Sequence, residues 1–224
     1  TFRVEAVIEA GNRLTVERGG RELAAWPLDV VPDGPPEVSF TTPPTGNDLG
    51  HLRIEYEARD DYGLTRVVAE IRRADGPGGT AGGDAISFDL PLAVPATTSA
   101  KGRSQRDLTP HPWAGLPVRM RLVATDAKGQ TGASDDVVVL LPERAFRHPV
   151  ARAIIAERKK LSTPRPTLRA EVSAALMAIA SRPDRFADDT VVFLALSVAR
   201  SRLMRDRRDR AIAAVQEILW DTAL

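Results

Sequence analysis

Residues 52–71 read LRIEYEARDDYGLTRVVAEI, and the fold turns on how they are parsed. Leu52, Ile54, Tyr56 and Ala58 alternate with Arg53, Glu55, Glu57 and Arg59. A period of two belongs to a strand with one buried face and one wet face. Asp60-Asp61-Tyr62-Gly63 interrupts it. Two carboxylates there can accept backbone N–H bonds in a tight turn, and the glycine can take φ > 0. Val67, Ala69 and Ile71 then resume the alternation. The pattern predicts that Arg59–Leu64 closes one strand and opens the next.

The same period extends outward on both sides. Val38 and Phe40 alternate, as do Ile86, Phe88 and Leu90, and Val118, Met120, Leu122 and Ala124; Val137–Leu141 is continuously apolar. Asp126 and Gly129 mark a second corner, in ATDAKGQT at residues 124–131. Six or seven short strands over about a hundred residues predict an antiparallel β-sandwich. Ala74–Asp84, with five glycines, and Ala93–Pro112, polar and proline-dotted, read as loops. Before it, Phe2–Glu9, Leu14–Val16 and Leu23–Val31 read as three strands, the last two joined at Gly19-Gly20. Pro32-Asp33-Gly34-Pro35-Pro36 then reads as a stiff linker.

At Pro142-Glu143 the period becomes helical. Phe146, Val150, Ile154 and Leu161 mark one stripe, and Leu168, Val172, Leu176 and Ile179 a second, capped by Thr167. Asp188-Asp189-Thr190 caps Val191–Met204, and Ile212, Val215, Leu219 and Ala223 mark the last helix. The organisation expected is therefore multidomain, β then α: a β-strand remnant at 1–33, a β-sandwich at 34–142, and an all-α helical region at 143–224.

Function classes are mostly excluded rather than chosen. There is no cysteine, which removes thiol nucleophiles, zinc–cysteine sites and disulfides. No run of 18 apolar residues occurs, and no signal peptide is recognised. The chain reads as a segment of something longer. Nucleophile-elbow, phosphate-loop and dinucleotide-binding motifs are missing, and His51, His111 and His148 lack ligand spacing. A calcium ion asks for six or more oxygens where only Asp60 and Asp61 are adjacent, so the turn reading is preferred. The sequence thus predicts no catalytic, cofactor-binding or metal-binding residue, no cofactor, and no enzyme.

Charge divides the chain. Residues 143–224 hold 16 Lys and Arg against 10 Asp and Glu, while residues 1–142 hold 15 against 20, so a basic back follows an acidic front. Arg200, Arg202, Arg205, Arg207, Arg208 and Arg210 suggest nucleic acid or anionic lipid. Asp206 and Asp209 interrupt that run, which favours a solvated, salt-bridged face or elbow. Arg144, Arg147 and His148 could form an anion site; the simpler reading has Pro142 start the helix, Glu143 at its positive end and Phe146 docking it on the sandwich. Trp220 and Leu224 share a helical face that asks for an apolar partner, either a second copy or Val191–Met204.

The two corners, Asp-Asp-Tyr-Gly-Leu at 60–64 and Ala-Thr-Asp-Ala-Lys-Gly-Gln at 124–130, resemble those of bacterial immunoglobulin-like or fibronectin-III-like domains. Trp26-Pro27-Leu28 leading into residues 32–36, Asp60–Leu64, Leu141–Phe146, His148–Ala153 and Leu219–Leu224 together resemble an alphaproteobacterial membrane-anchored family, numbered 4175 among domains of unknown function. That resemblance covers essentially the whole chain. It implies transmembrane helices upstream of Thr1 and a large periplasmic part, and carries over no catalytic residue. The expectation is a periplasmic interaction or scaffolding segment of a bacterial inner-membrane protein. Its partner would be another protein or a second copy met through the C-terminal helices, with no nucleic acid and with the membrane tether outside this segment. The alternative is a module binding an envelope polymer, peptidoglycan or polysaccharide, with Trp113 as a stacking platform.

Overall fold

The structure is a computed structural model that describes residues 5, 8, 10–74, 85–94, 96–163, 165–206 and 208–224. The expected first strand at Phe2–Glu9 and the glycine-rich loop after Ala74 fall largely outside those residues, as does Arg207. Nine strands precede four helices.

β1 (Arg13–Arg18) and β2 (Arg21–Pro27) form a two-stranded hairpin. Gly19 and Gly20 close it with φ of 59° and 78°, the left-handed pair that a two-residue hairpin turn requires. β2 stops at Pro27, short of the expected Val31. The linker lies against the sheet that follows. Asp33 accepts from the Gln130 amide at 2.7 Å, and Pro36 is buried.

β3 (Glu37–Gly46), β4 (His51–Arg73), β5 (Ile86–Leu90), β6 (Thr97–Asp107), β7 (Pro117–Asp126), β8 (Thr131–Ala133) and β9 (Val137–Leu140) make one antiparallel sheet. The expected break at Asp60–Gly63 is a bend inside β4, which continues as one strand of 23 residues. Its first half pairs with β3 and β6, its second half with β5 and β7, and the register shifts between Arg59 and Leu64. The two halves therefore remain hydrogen-bonded through β4, and the sheet curls on itself as a half-barrel instead of separating into two sheets. Leu52, Ile54, Tyr56 and Ala58 from one half share a single core with Leu64, Val67, Ala69 and Ile71 from the other. Val118, Met120, Leu122 and Ala124 of β7 complete it.

β6 runs through the stretch expected as loop. Its residues TTSAKGRSQRD have almost nothing to bury, and only Ala100 joins the core. Cross-strand partners hold it in place. Lys101 meets Glu57, and Arg103 meets Glu55 at 2.8 Å. Gly102 lies over Tyr56, where a Cβ would stand 2.4 Å from the ring. The Tyr56 hydroxyl donates to the Pro91 carbonyl, and burial raises its pKa.

The helices are α1 (Pro149–Lys160), α2 (Leu168–Ala180), α3 (Thr190–Arg205) and α4 (Asp209–Ala223), with a 3-10 turn at Pro183–Phe186. α1 begins at Pro149 and not near Pro142. His148 caps it through Nδ1, which accepts from the Val150 N–H at 3.3 Å, and proline suits the first turn because its missing N–H has no partner there. Asp189 caps α3. A second core gathers Ile154, Leu168, Val172, Leu176, Leu196, Leu203, Val215 and Leu219 from all four helices.

Candidate functional site

The two aspartate corners are occupied by their own backbone. Asp60 Oδ2 accepts from the N–H groups of Tyr62 and Gly63. Gly63 has φ 114°, and a Cβ there would stand 2.7 Å from the Ala96 carbonyl oxygen. Asp126 Oδ1 accepts from Lys128 and Gln130 at 2.8 Å each, across the β7–β8 turn. Asp60 Oδ1, Asp126 Oδ2 and Asp33 Oδ1 are buried without a protein partner. Even so, among the described residues no three carboxylates, imidazoles or thiols come together as a metal site. A recess of about 350 Å³ opens at the hairpin, lined by Asn12, Arg13, Ala25, Trp26 and Pro27. It contains no titratable acid–base pair.

Arg158 joins the helices to the sheet. It stands on α1, is only 4% exposed, and spends its guanidinium on backbone carbonyls. Nε donates to Gln216 of α4 at 2.8 Å, while the terminal nitrogens donate to His111 and Pro110 in the loop between β6 and β7. Desolvation pushes its pKa down to about 10, with Asp221 pulling the other way, so it stays charged at neutral pH. Gln216 Nε2 donates to Ser162 Oγ, and Ser162 donates to the Pro112 carbonyl. Lys159 pairs with Glu143 beside Gly115.

This junction bears on three sequence expectations. Trp113 is buried and meets His111 edge-on at 4.9 Å, so it offers no stacking platform. Trp220, expected on Val191–Met204 or on a second copy, lies at the edge of the helical core. It packs edge-on against Phe146 at 5.7 Å, under the Arg158 guanidinium at 5.0 Å. Phe146 accordingly docks on the helical core and not on the sheet. The crevice beside these residues holds about 10 Å³, room for one water at most.

The arginine cluster is an elbow. α3 ends at Asp206, whose carboxylate accepts from the Arg208 N–H and pairs with the Arg208 side chain at 3.1 Å. The backbone bond, the larger influence, holds Asp206 below the usual carboxylate pKa. Arg169 of α2 braces the elbow, donating to the carbonyls of Asp206 and Arg208 at 2.6 and 3.1 Å. Arg144 lies over the Phe146 ring, and His148 is the helix cap, so the proposed anion site with Arg147 is not assembled around His148.

The outer face of α3 was not singled out by the sequence. Leu196, Ala199 and Leu203 are buried, but Val191 is 74% exposed, Leu194 55% and Val198 48%. Phe193 and Met204 lie exposed beside them, and so does Met177 of α2. The run Val191–Ala199 is apolar but for Ser197, so periodicity could not say that it would be covered on only one side. No helix among the described residues is long and apolar enough to cross a membrane.

A family model described as a domain of unknown function (DUF4175) matches residues 1–224. No curated protein matches the chain. Among solved structures, wild-type OgpA from Akkermansia muciniphila is 19% identical with a TM-score of 0.37, covering 48% of this chain and 29% of OgpA. Catalytically inactive OgpA in complex with an O-glycopeptide substrate gives 18%, 0.36, 48% and 29%. Astrotactin-2, described as a vertebrate-specific, perforin-like membrane protein, gives 11% and 0.32, covering 81% of this chain and 38% of its own. The chain thus spans less than a third of OgpA, and TM-scores of this size carry neither a shared overall fold nor a function.

Proposed function

Since the chain belongs to the family described as a domain of unknown function (DUF4175), we propose that it is the periplasmic interaction and scaffolding segment of a bacterial inner-membrane protein. The observation that carries this reading is the outer face of α3, an apolar surface on a helix whose other side is already packed. Such patches on a folded body mark contact sites with other macromolecules. The junction around Arg158 supports it, because a contact made on the helices would be held in fixed orientation to the sheet. The reading assigns no catalytic role. Two experiments test it. A photo-crosslinking residue at Leu194 in the intact protein should capture a protein partner in cells, and none should be captured from the hairpin. Alkaline phosphatase fused after Leu224 should be active, as that enzyme is only outside the cytoplasm. Absence of both results sinks the proposal.

The second reading, an immunoglobulin-like module for an envelope polymer, rests on Trp26. This residue is half-exposed and lines the hairpin recess with Asn12 and Arg13, an aromatic surface beside polar groups. Isolated cell wall should then retain the chain, and Trp26→Ala should release it.

A further inference from the structure

The exposed face of α3 has a polarity of its own. Val191, Leu194, Val198 and Ser201 follow one another at spacings of three, four and three, a single seam along the helix. The seam begins beside Asp188 and Asp189, both exposed. It ends among Arg200, Arg202 and Arg205, also exposed. At the 3-10 turn further out, Arg182, Asp184 and Arg185 sum to +1, which leaves this end at −1 with Asp188 and Asp189, against +3 from Arg200, Arg202 and Arg205 at the other. One end of the seam is thus acidic, the other basic, and the middle apolar. A surface of that kind is complementary to itself when reversed.

We propose that α3 is a homodimer interface, packing antiparallel against α3 of a second copy about a two-fold axis near Leu196. This deepens the interaction reading above and rests on it. In that register Leu194 opposes Val198, and Val191 opposes Ser201. The Asp188–Asp189 end of each copy lies against Arg202 and Arg205 of the other, so both charged ends are satisfied by one rotation. Antiparallel helices also set opposite dipole ends together. A parallel pair would place the arginines of both copies side by side.

The chain lacks cysteine, so single thiols report the register directly. Sedimentation of the 224-residue chain over a dilution series should show a monomer–dimer equilibrium. Leu194→Lys, at an exposed position, should weaken it at least about tenfold while leaving the melting temperature unchanged at dilutions where both proteins are monomeric. Val191→Cys mixed with Ser201→Cys should form a mixed disulfide on mild oxidation. Val191→Cys alone should not, because Val191 and its copy are ten residues out of register, about 15 Å apart along the axis. A dimer indifferent to Leu194→Lys, or Val191→Cys crosslinking to itself, overturns the proposal. So does a monomer at every concentration. If that monomer still captures another protein through Leu194 in cells, the interaction reading stands without the dimer. If it instead binds anionic vesicles in a Leu194-dependent way, a membrane surface replaces the second copy.

Discussion

β7 and α3 have similar apolar content, yet they end in different states. In β7, Val118, Met120, Leu122 and Ala124 are enclosed, and their neighbours Arg119 and Arg121 face water. In α3, three residues are enclosed and five large apolar ones are exposed. A strand's two faces are separated by its pleat, so alternation in sequence becomes a clean division in space. A helix that is apolar all round needs neighbours all round. The curled sheet completes its core within the chain, whereas the helical bundle completes only the inner half of its own.

That contrast can be broken most severely at the two cores. Ile54→Ala in the sheet and Leu176→Ala in the helices each remove a fully buried side chain and should each cost about 2–5 kcal/mol. If the junction couples the cores, either substitution should shift a single denaturation curve seen both by helical circular dichroism and by tryptophan fluorescence. Two separate curves would mean that the modules unfold independently.

Arg158→Met tests the coupling itself. It keeps most of the side-chain volume but removes the donors to the Pro110, His111 and Gln216 carbonyls that tie α1 to α4 and to the β6–β7 loop, which should cost about 1–3 kcal/mol. The helices should then melt before the sheet in a chemical denaturation series. An unchanged single transition would place the coupling elsewhere.

Gly102→Ala sharpens the sheet side. The added methyl meets the Tyr56 ring, so a loss of about 1–3 kcal/mol is expected, and amide exchange should quicken along β6 before β7. Equal quickening in both strands would show that β6 is not held through Tyr56.

The smallest effect lies at the elbow. The Asp206 pKa is depressed in the folded chain, so its contribution is present above the ordinary carboxylate value of 3.8 and lost as pH falls through the lower folded value. Asp206→Asn should abolish that part of the acid response while barely changing neutral-pH stability. Acid unfolding curves of the two proteins that superimpose would contradict it.

Much of the sheet was legible because Leu52–Ala58 alternates without exception and Val118–Ala124 departs from alternation only at Val123. β6 was not, because its place comes from Glu55, Glu57 and Tyr56 on another strand and not from its own eleven residues. The bend in β4 has the side chains of a turn, since Asp60 and Gly63 do turn the chain, but β-pairing on both sides carries the strand through. The cap at Asp189 was readable locally; Thr167 stands at the start of α2 as expected but gives its hydroxyl to Glu171 and makes no capping bond, and Pro142 misled because proline opens extended segments as readily as helices. On the site, Trp220 drew notice as an unpartnered aromatic, and its partners Phe146 and Arg158 were too distant in sequence to be seen. The face that is unpartnered sat inside the most apolar run of the chain.

β4 also sets the order in which the protein can be made. It pairs with β3, β5, β6 and β7, so the sheet is complete only when β4 has all four. During synthesis β4 ends at Arg73 and β7 at Asp126, 53 residues later. At about 5–20 residues per second that leaves roughly 3–10 s in which a 23-residue, half-apolar strand has left the ribosome without its last neighbour. The nascent chain is most prone to stray pairing in that interval, and a chaperone would have most to do there.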